Sequence, residues 1–167
     1  MSENPMKINY SEKNEITNFR EICMGNMRNS VIYRGSYPVF KLDKERDEMY
    51  TELVLDGGIN YILNLAGNEN DIEVLVSMVP WYNTLFKNNN VIELDIQFKF
   101  DFLDKFEYDI FNYRLRQGFK FLIMHDGPYL IHCNAGADRT GFVVTFIYLL
   151  FGVSIDEAIY SLDKIFY

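Results

Sequence analysis

The fold is decided by the stretch Tyr129-Leu130-Ile131-His132-Cys133-Asn134-Ala135-Gly136-Ala137-Asp138-Arg139-Thr140-Gly141, which an apolar segment over 142–151 follows. A short apolar run, a loop containing glycine and a longer apolar run are typical of a strand, a tight loop and a helix. The loop N–H groups and the helix N-terminus then converge and form a receptor for an oxyanion. Arg139 adds a planar cation, and Cys133 lies in the same positive field, which favours its thiolate.

The rest of the chain extends this pattern of strands alternating with helices. Apolar runs predict further strands over 31–35, 61–65 and 91–96. Helical patterns occupy 16–24, 43–55, 71–87 with an interruption at Pro80, 106–124, 142–151 and 154–165, the last opening in a Ser154–Glu157 capping box. The expected fold class is therefore α/β, with a central, mostly parallel sheet of about four to five strands flanked by helices. Residues 1–167 are expected to form one domain, with 1–28 as an N-terminal arm.

Composition limits the functional classes. The formal net charge is −8, which argues against a general nucleic-acid binder and against attachment to anionic membranes by charge. The chain has two cysteines, Cys23 and Cys133, so neither a disulfide framework nor a zinc-type spacing is present. The start of the chain lacks the apolar core of a secretion signal, and 142–151 is about half of the roughly 20 residues that a membrane span needs. A cytoplasmic protein without metal or cofactor is expected.

The loop also resembles a known family. His132-Cys133-x(5)-Arg139-Thr140 matches the H-C-x(5)-R-[ST] loop of the cysteine-dependent protein tyrosine phosphatase superfamily. The fuller H-C-x-A-G-x-D-R-T-G form is similar to that of small bacterial tyrosine, dual-specificity and phosphoinositide phosphatases. Tyr33-Arg34-Gly35-Ser36 is similar to an early Tyr-Arg-Ser segment in these relatives. The resemblance implies a tyrosine-phosphatase-like fold and phosphatase chemistry.

The resemblance also assigns roles to residues of this loop. Cys133 would attack phosphorus and form a cysteinyl-phosphate, while Arg139 would bind two equatorial phosphate oxygens. Thr140 would hydrogen-bond the sulfur, and His132 would brace the loop. The phosphate cradle would be completed by the loop backbone, over Asn134, Ala135, Gly136, Ala137, Asp138 and Arg139.

Three carboxylates are candidates for the role of general acid. In many relatives an Asp about thirty residues before the cysteine protonates the leaving group, which points to Asp101, with Asp104 next. In the branch with D-R-T-G, the loop Asp is thought to serve instead, which points to Asp138. We favour Asp138.

The variable loop positions bear on the substrate. Phosphoinositide-active relatives often have a Lys in this loop, whereas this chain has Asn134 and Ala137. Phosphotyrosine on a protein, with or without dual specificity, is therefore the default substrate, and phosphoinositides, inositol phosphates or a small phosphomonoester are the alternatives. A catalytically silent phosphate-binding module and a rhodanese-type sulfurtransferase are the competing classes. An oxidative disulfide between Cys23 and Cys133 stays open.

Overall fold

Five strands and six helices are found in the computed structural model, which describes residues 16–22, 31–40, 43–67, 69–97 and 105–163. The strands are β1 (Arg20–Ile22), β2 (Ile32–Gly35), β3 (Tyr61–Asn64), β4 (Val91–Glu93) and β5 (Tyr129–His132). The helices are α1 (Lys44–Asp56), α2 (Glu69–Met78), α3 (Pro80–Lys87), α4 (Lys105–Met124), α5 (Asp138–Leu150) and α6 (Ile155–Asp163). The α/β class predicted from the sequence is confirmed.

The strands form one mostly parallel sheet in the order β1-β2-β5-β3-β4, with β1 antiparallel to β2 at one edge. Strand β5 lies in the centre, parallel to β2 on one side and to β3 on the other. All four of its residues are buried, as expected for a strand covered on both faces. The register aligns Gly35, His132 and Asn64, so the carboxyl ends of the three strands meet at one edge of the sheet.

Helices cover both faces of the sheet and divide the apolar side chains into two clusters. On one face, Ile62 and Leu130 pack with residues of α1, α2 and α3. On the other face, Leu63 and Ile131 pack with residues of α4, α5 and α6. Adjacent residues of a strand point to opposite faces, so each central strand contributes to both clusters. Among the helices of the described segments, none combines the length and apolarity that crossing a bilayer requires.

Two local predictions are confirmed by side-chain and backbone contacts. The helical stretch before residue 88 divides at Val79, and Pro80 takes the first position of α3, where a missing N–H is tolerated. At the start of α6, the Ser154 hydroxyl accepts a bond from the Glu157 N–H at 3.3 Å, and the Glu157 carboxylate accepts one from the Ser154 N–H at 3.2 Å. This reciprocal pair is the capping box expected from the sequence.

Two other predictions are wrong. The helix expected over 16–24 is replaced at Arg20–Ile22 by strand β1, because backbone pairing with β2 outweighs the local helical pattern. Helix α5 begins at Asp138 and not at 142, since the Gly141 N–H bonds the Ala137 carbonyl at 2.6 Å and closes a first turn inside the loop motif. Asp138 thus stands in the first turn of a helix.

Candidate active site

Cys133 lies directly after the central strand β5, at the sheet edge where the parallel strands end. Its side chain is buried, with 2% of its surface exposed. Residues 134–137 then bend around it and lead into the N-terminus of α5. The loop over 134–137 is therefore anchored at both ends by hydrophobic packing. Strand β5 packs in the core before the loop, and Val143, Val144 and Ile147 of α5 pack in the core after it.

The four carbonyl groups of this loop are all turned outward by donors from residues 18–37 or from the helix. The Tyr37 N–H donates to Asn134 O at 2.9 Å, and the Asn18 side-chain amide donates to Ala135 O at 2.8 Å. The guanidinium of Arg34 donates to Gly136 O at 2.6 Å and to Ala137 O at 3.2 Å.

Outward carbonyls imply inward N–H groups. In a planar trans peptide, the carbonyl of one residue and the N–H of the next point in opposite directions, so the N–H groups of residues 135–138 face away from these donors. Within the described ranges, none of these four N–H groups donates to an acceptor of the protein. Successive N–H groups that lack a partner and precede a helix form an anion-binding concavity.

Gly136 brings the loop against strand β2. Its φ of +69° lies in the left-handed region, and a Cβ at this position would stand 2.5 Å from both the carbonyl carbon and the oxygen of Gly35. Such a distance is shorter than any real Cβ contact, so only glycine fits. The loop and the end of β2 therefore pack backbone to backbone.

Arg139, Thr140 and Asp138 occupy the first turn of α5 with different exposures. Arg139 is half-buried, and its guanidinium lies 3.5 Å from the carbonyl of Leu65, just beyond the end of β3. The Thr140 side chain is fully buried, and its hydroxyl has no hydrogen-bond partner in the described part of the chain. Asp138 is exposed to solvent.

His132 lies behind the loop as an enclosed neutral imidazole. It is fully buried, and burial lowers its pKa to about 3, with a smaller contribution from the charge of Arg139. Its ring lies 3.5 Å from the hydroxyl of Tyr82, and its carbonyl accepts the Leu65 N–H at 2.8 Å. A buried ring that stays neutral at physiological pH is suited to supporting the loop and not to exchanging protons with a substrate.

The sequence predicted no role for two residues that contact the loop, Arg34 and Asn18, although Arg34 lies in the Tyr33–Ser36 segment that resembles the relatives. Arg34 is 2% exposed within a strand, and a charged residue in an otherwise apolar strand pattern is a signal that could have pointed to a buried role. Asn18 has a positive φ of 52°, for which the sequence offers no comparable signal. Three residues named in the sequence-based predictions lie outside the described residues: Cys23, Asp101 and Asp104.

The described ranges hold no group of three or more His, Cys, Asp or Glu side chains arranged to bind a metal ion. Comparison with known protein families matches residues 86–161 to the tyrosine phosphatase family. This span runs from the end of α3 to within α6 and includes the loop. A search of curated proteins finds no match.

Proposed function

We propose that the chain is a member of the cysteine-dependent tyrosine phosphatase superfamily and that it hydrolyses phosphate monoesters through a cysteinyl-phosphate on Cys133. The family match supports a phosphatase in general terms. The finer proposal is supported by four N–H groups, over residues 135–138, that have no acceptor among the described residues and precede α5. We also propose that 1–167 acts as one phosphatase domain.

In the first step, the Cys133 thiolate attacks phosphorus, the S–P bond forms and the bond from phosphorus to the ester oxygen breaks. Asp138 protonates the departing oxygen, and its exposed position in the first turn of α5 is consistent with this role. Asp101 is the competing donor. The charge that develops on the phosphoryl oxygens is stabilised by the loop N–H groups and by the planar guanidinium of Arg139.

In the second step, a water molecule attacks phosphorus, the S–P bond breaks and inorganic phosphate leaves. The carboxylate that gave its proton in the first step now accepts one from the water. The departing thiolate is received by the same N–H field, and by the Thr140 hydroxyl, which is buried without a hydrogen-bond partner among the described residues. His132 keeps the loop in shape through its packing.

We propose phosphotyrosine in a protein as the substrate. A dual-specificity enzyme would also hydrolyse phosphoserine or phosphothreonine. Neutral side chains at Asn134 and Ala137, the exposed Asp138 carboxylate and the net charge of −8 all disfavour a polyanionic ligand. Phosphoinositides and inositol phosphates are therefore the second candidates. The proposed location is the cytoplasm, where a thiol nucleophile stays reduced.

The proposal is tested with para-nitrophenyl phosphate, phosphotyrosine and phosphoserine peptides, phosphoinositides and inositol hexakisphosphate, each with wild type and Cys133→Ser. We expect hydrolysis of the aryl phosphate and of phosphotyrosine by wild type, and loss of turnover in Cys133→Ser with an unchanged unfolding transition. Folded wild-type protein that binds phosphate but turns over none of these esters would instead identify a silent binding module. Transfer of sulfur from thiosulfate to cyanide would indicate the sulfurtransferase class.

A further inference from the structure

Arg34 is a buried cation without a carboxylate partner in the described part of the chain. It lies on β2 with 2% of its surface exposed, and none of the ion pairs formed by described residues includes it. The other buried arginine, Arg46, lies 3.0 Å from the carboxylate of Asp47. A buried charge that lacks an anionic partner is costly for folding, so its retention calls for an anion elsewhere.

The contacts of Arg34 are with the loop after β5. One terminal nitrogen donates to both Gly136 O and Ala137 O, at 2.6 Å and 3.2 Å, while its Nε is buried and has no partner within the described ranges. Because these two carbonyls point to Arg34, the N–H groups of Ala137 and Asp138 point the other way. Arg34 thus sets the orientation of half of the anion-binding N–H groups without facing the anion itself.

Several charged or titratable groups act on Arg34. Burial is the main cause that lowers its pKa to about 10, and repulsion by Arg20 on β1 acts in the same direction. Tyr148 on α5 and Cys133 act in the opposite direction, as attractive groups. Arg34 still keeps its charge at neutral pH, and its interaction with Cys133 is favourable when the thiol is ionised. Arg139 lies at the other end of the loop, in the first turn of α5.

We propose that Arg34 is a positioning residue of the phosphate-binding loop, which orients the 136–138 peptides so that their N–H groups stabilise the Cys133 thiolate and the bound phosphate. This inference rests on the proposed function for its catalytic meaning. The thiolate and phosphate would be the anions that compensate the buried charge. The family resemblance includes the segment that contains Arg34 but gives this residue no role.

The test compares Arg34→Gln, Arg34→Met and Arg34→Lys with wild type, using the full chain. The first readout is the pH dependence of Cys133 alkylation by iodoacetamide, followed on the peptide that contains Cys133 by mass spectrometry. The second is the affinity for inorganic phosphate by calorimetry, and the third is kcat/KM for para-nitrophenyl phosphate. Tyr129→Phe is the control, because Tyr129 lies at the opposite end of β5 and its hydroxyl donates to Leu122 O at 2.9 Å.

We expect both neutral variants to raise the midpoint pH of alkylation, because N–H groups that are no longer held in orientation stabilise the thiolate less. Phosphate affinity should fall about 10- to 100-fold, as for loss of a charged hydrogen bond. Arg34→Lys keeps the charge, so its alkylation midpoint should stay near that of wild type. Tyr129→Phe should lower the unfolding temperature without moving the midpoint or the phosphate affinity.

The inference is overturned if a folded neutral variant keeps the wild-type midpoint and phosphate affinity. It is also overturned if Arg34→Lys shifts the midpoint as far as the neutral variants do. If neither neutral variant folds, Arg34→Lys decides, and an altered midpoint in that variant counts against the proposal. Failure of the proposed function has another signature, since wild type would then bind phosphate and show the Arg34 effects without hydrolysing any ester.

Discussion

Replacement of Gly136 by alanine tests the close approach between the loop and strand β2. The added Cβ would meet the carbonyl carbon and oxygen of Gly35 at 2.5 Å and the Ser36 nitrogen at 2.7 Å. All three atoms belong to the backbone, so no flexible side chain can move aside. The residue also has a φ of +69°, a conformation that side chains other than glycine rarely adopt.

The expected cost has two parts. An alanine in the left-handed region costs about 1–2 kcal/mol of unfolding free energy. Ordinary contact begins at 3.4 Å, so the loop and β2 must separate by about 1 Å, and overpacking of this kind costs about 1–3 kcal/mol more. A displacement of that size at donors positioned for a reacting group lowers kcat/KM on the order of 100-fold.

Gly58→Ala is the matched control. Gly58 has a φ of +60°, almost the same backbone conformation, and a Cβ there would meet nothing within 4 Å. Urea denaturation should therefore show only the backbone part of the cost, and activity should be unchanged. The reasoning is refuted if Gly136→Ala is destabilised no more than Gly58→Ala and hydrolyses para-nitrophenyl phosphate at the wild-type rate.

Two further predictions concern His132 and Asp138. The folded-state pKa of His132, about 3, lies below the unfolded value near 6.5, so the unfolded chain binds more protons between these pH values, and stability falls as pH falls. This contribution to the free energy of unfolding is complete above pH 6.5 and decreases by about 1.4 kcal/mol per pH unit below it. Between pH 7.5 and 5.0, urea denaturation should therefore show a loss of stability that is about 2 kcal/mol smaller in His132→Gln than in wild type. Equal losses in the two proteins would contradict the burial argument. Asp138→Asn should lower kcat for phenyl phosphate by about 10²- to 10⁴-fold and kcat for para-nitrophenyl phosphate far less, because only a poor leaving group needs the proton. If Asp101→Asn shows this pattern and Asp138→Asn does not, Asp101 is the general acid.

Local sequence pattern was sufficient for the elements that surround the loop. The apolar run before Cys133 and the apolar segment after the motif correspond to β5 and α5, because a strand buried on both faces and a buried helix both require continuous apolar residues. Pro80 and the Ser154–Glu157 pair acted through their nearest neighbours, so their effects were also predictable. Strand β1 was not predictable from the local pattern, since its pairing partner, Ile32–Gly35, lies about ten residues further along the chain.

The α/β class followed from the sequence alone, and the sequence predicts the site residues between His132 and Gly141, because this motif is contiguous and its chemistry depends on residue type and spacing. Only the tertiary structure decided which groups hold that loop from behind. Asn18, Arg34 and Tyr37 come from segments that precede the loop by about a hundred residues, and the sheet brings them to its carbonyls. The orientation of the loop N–H groups depends on those distant donors, which no local pattern encodes.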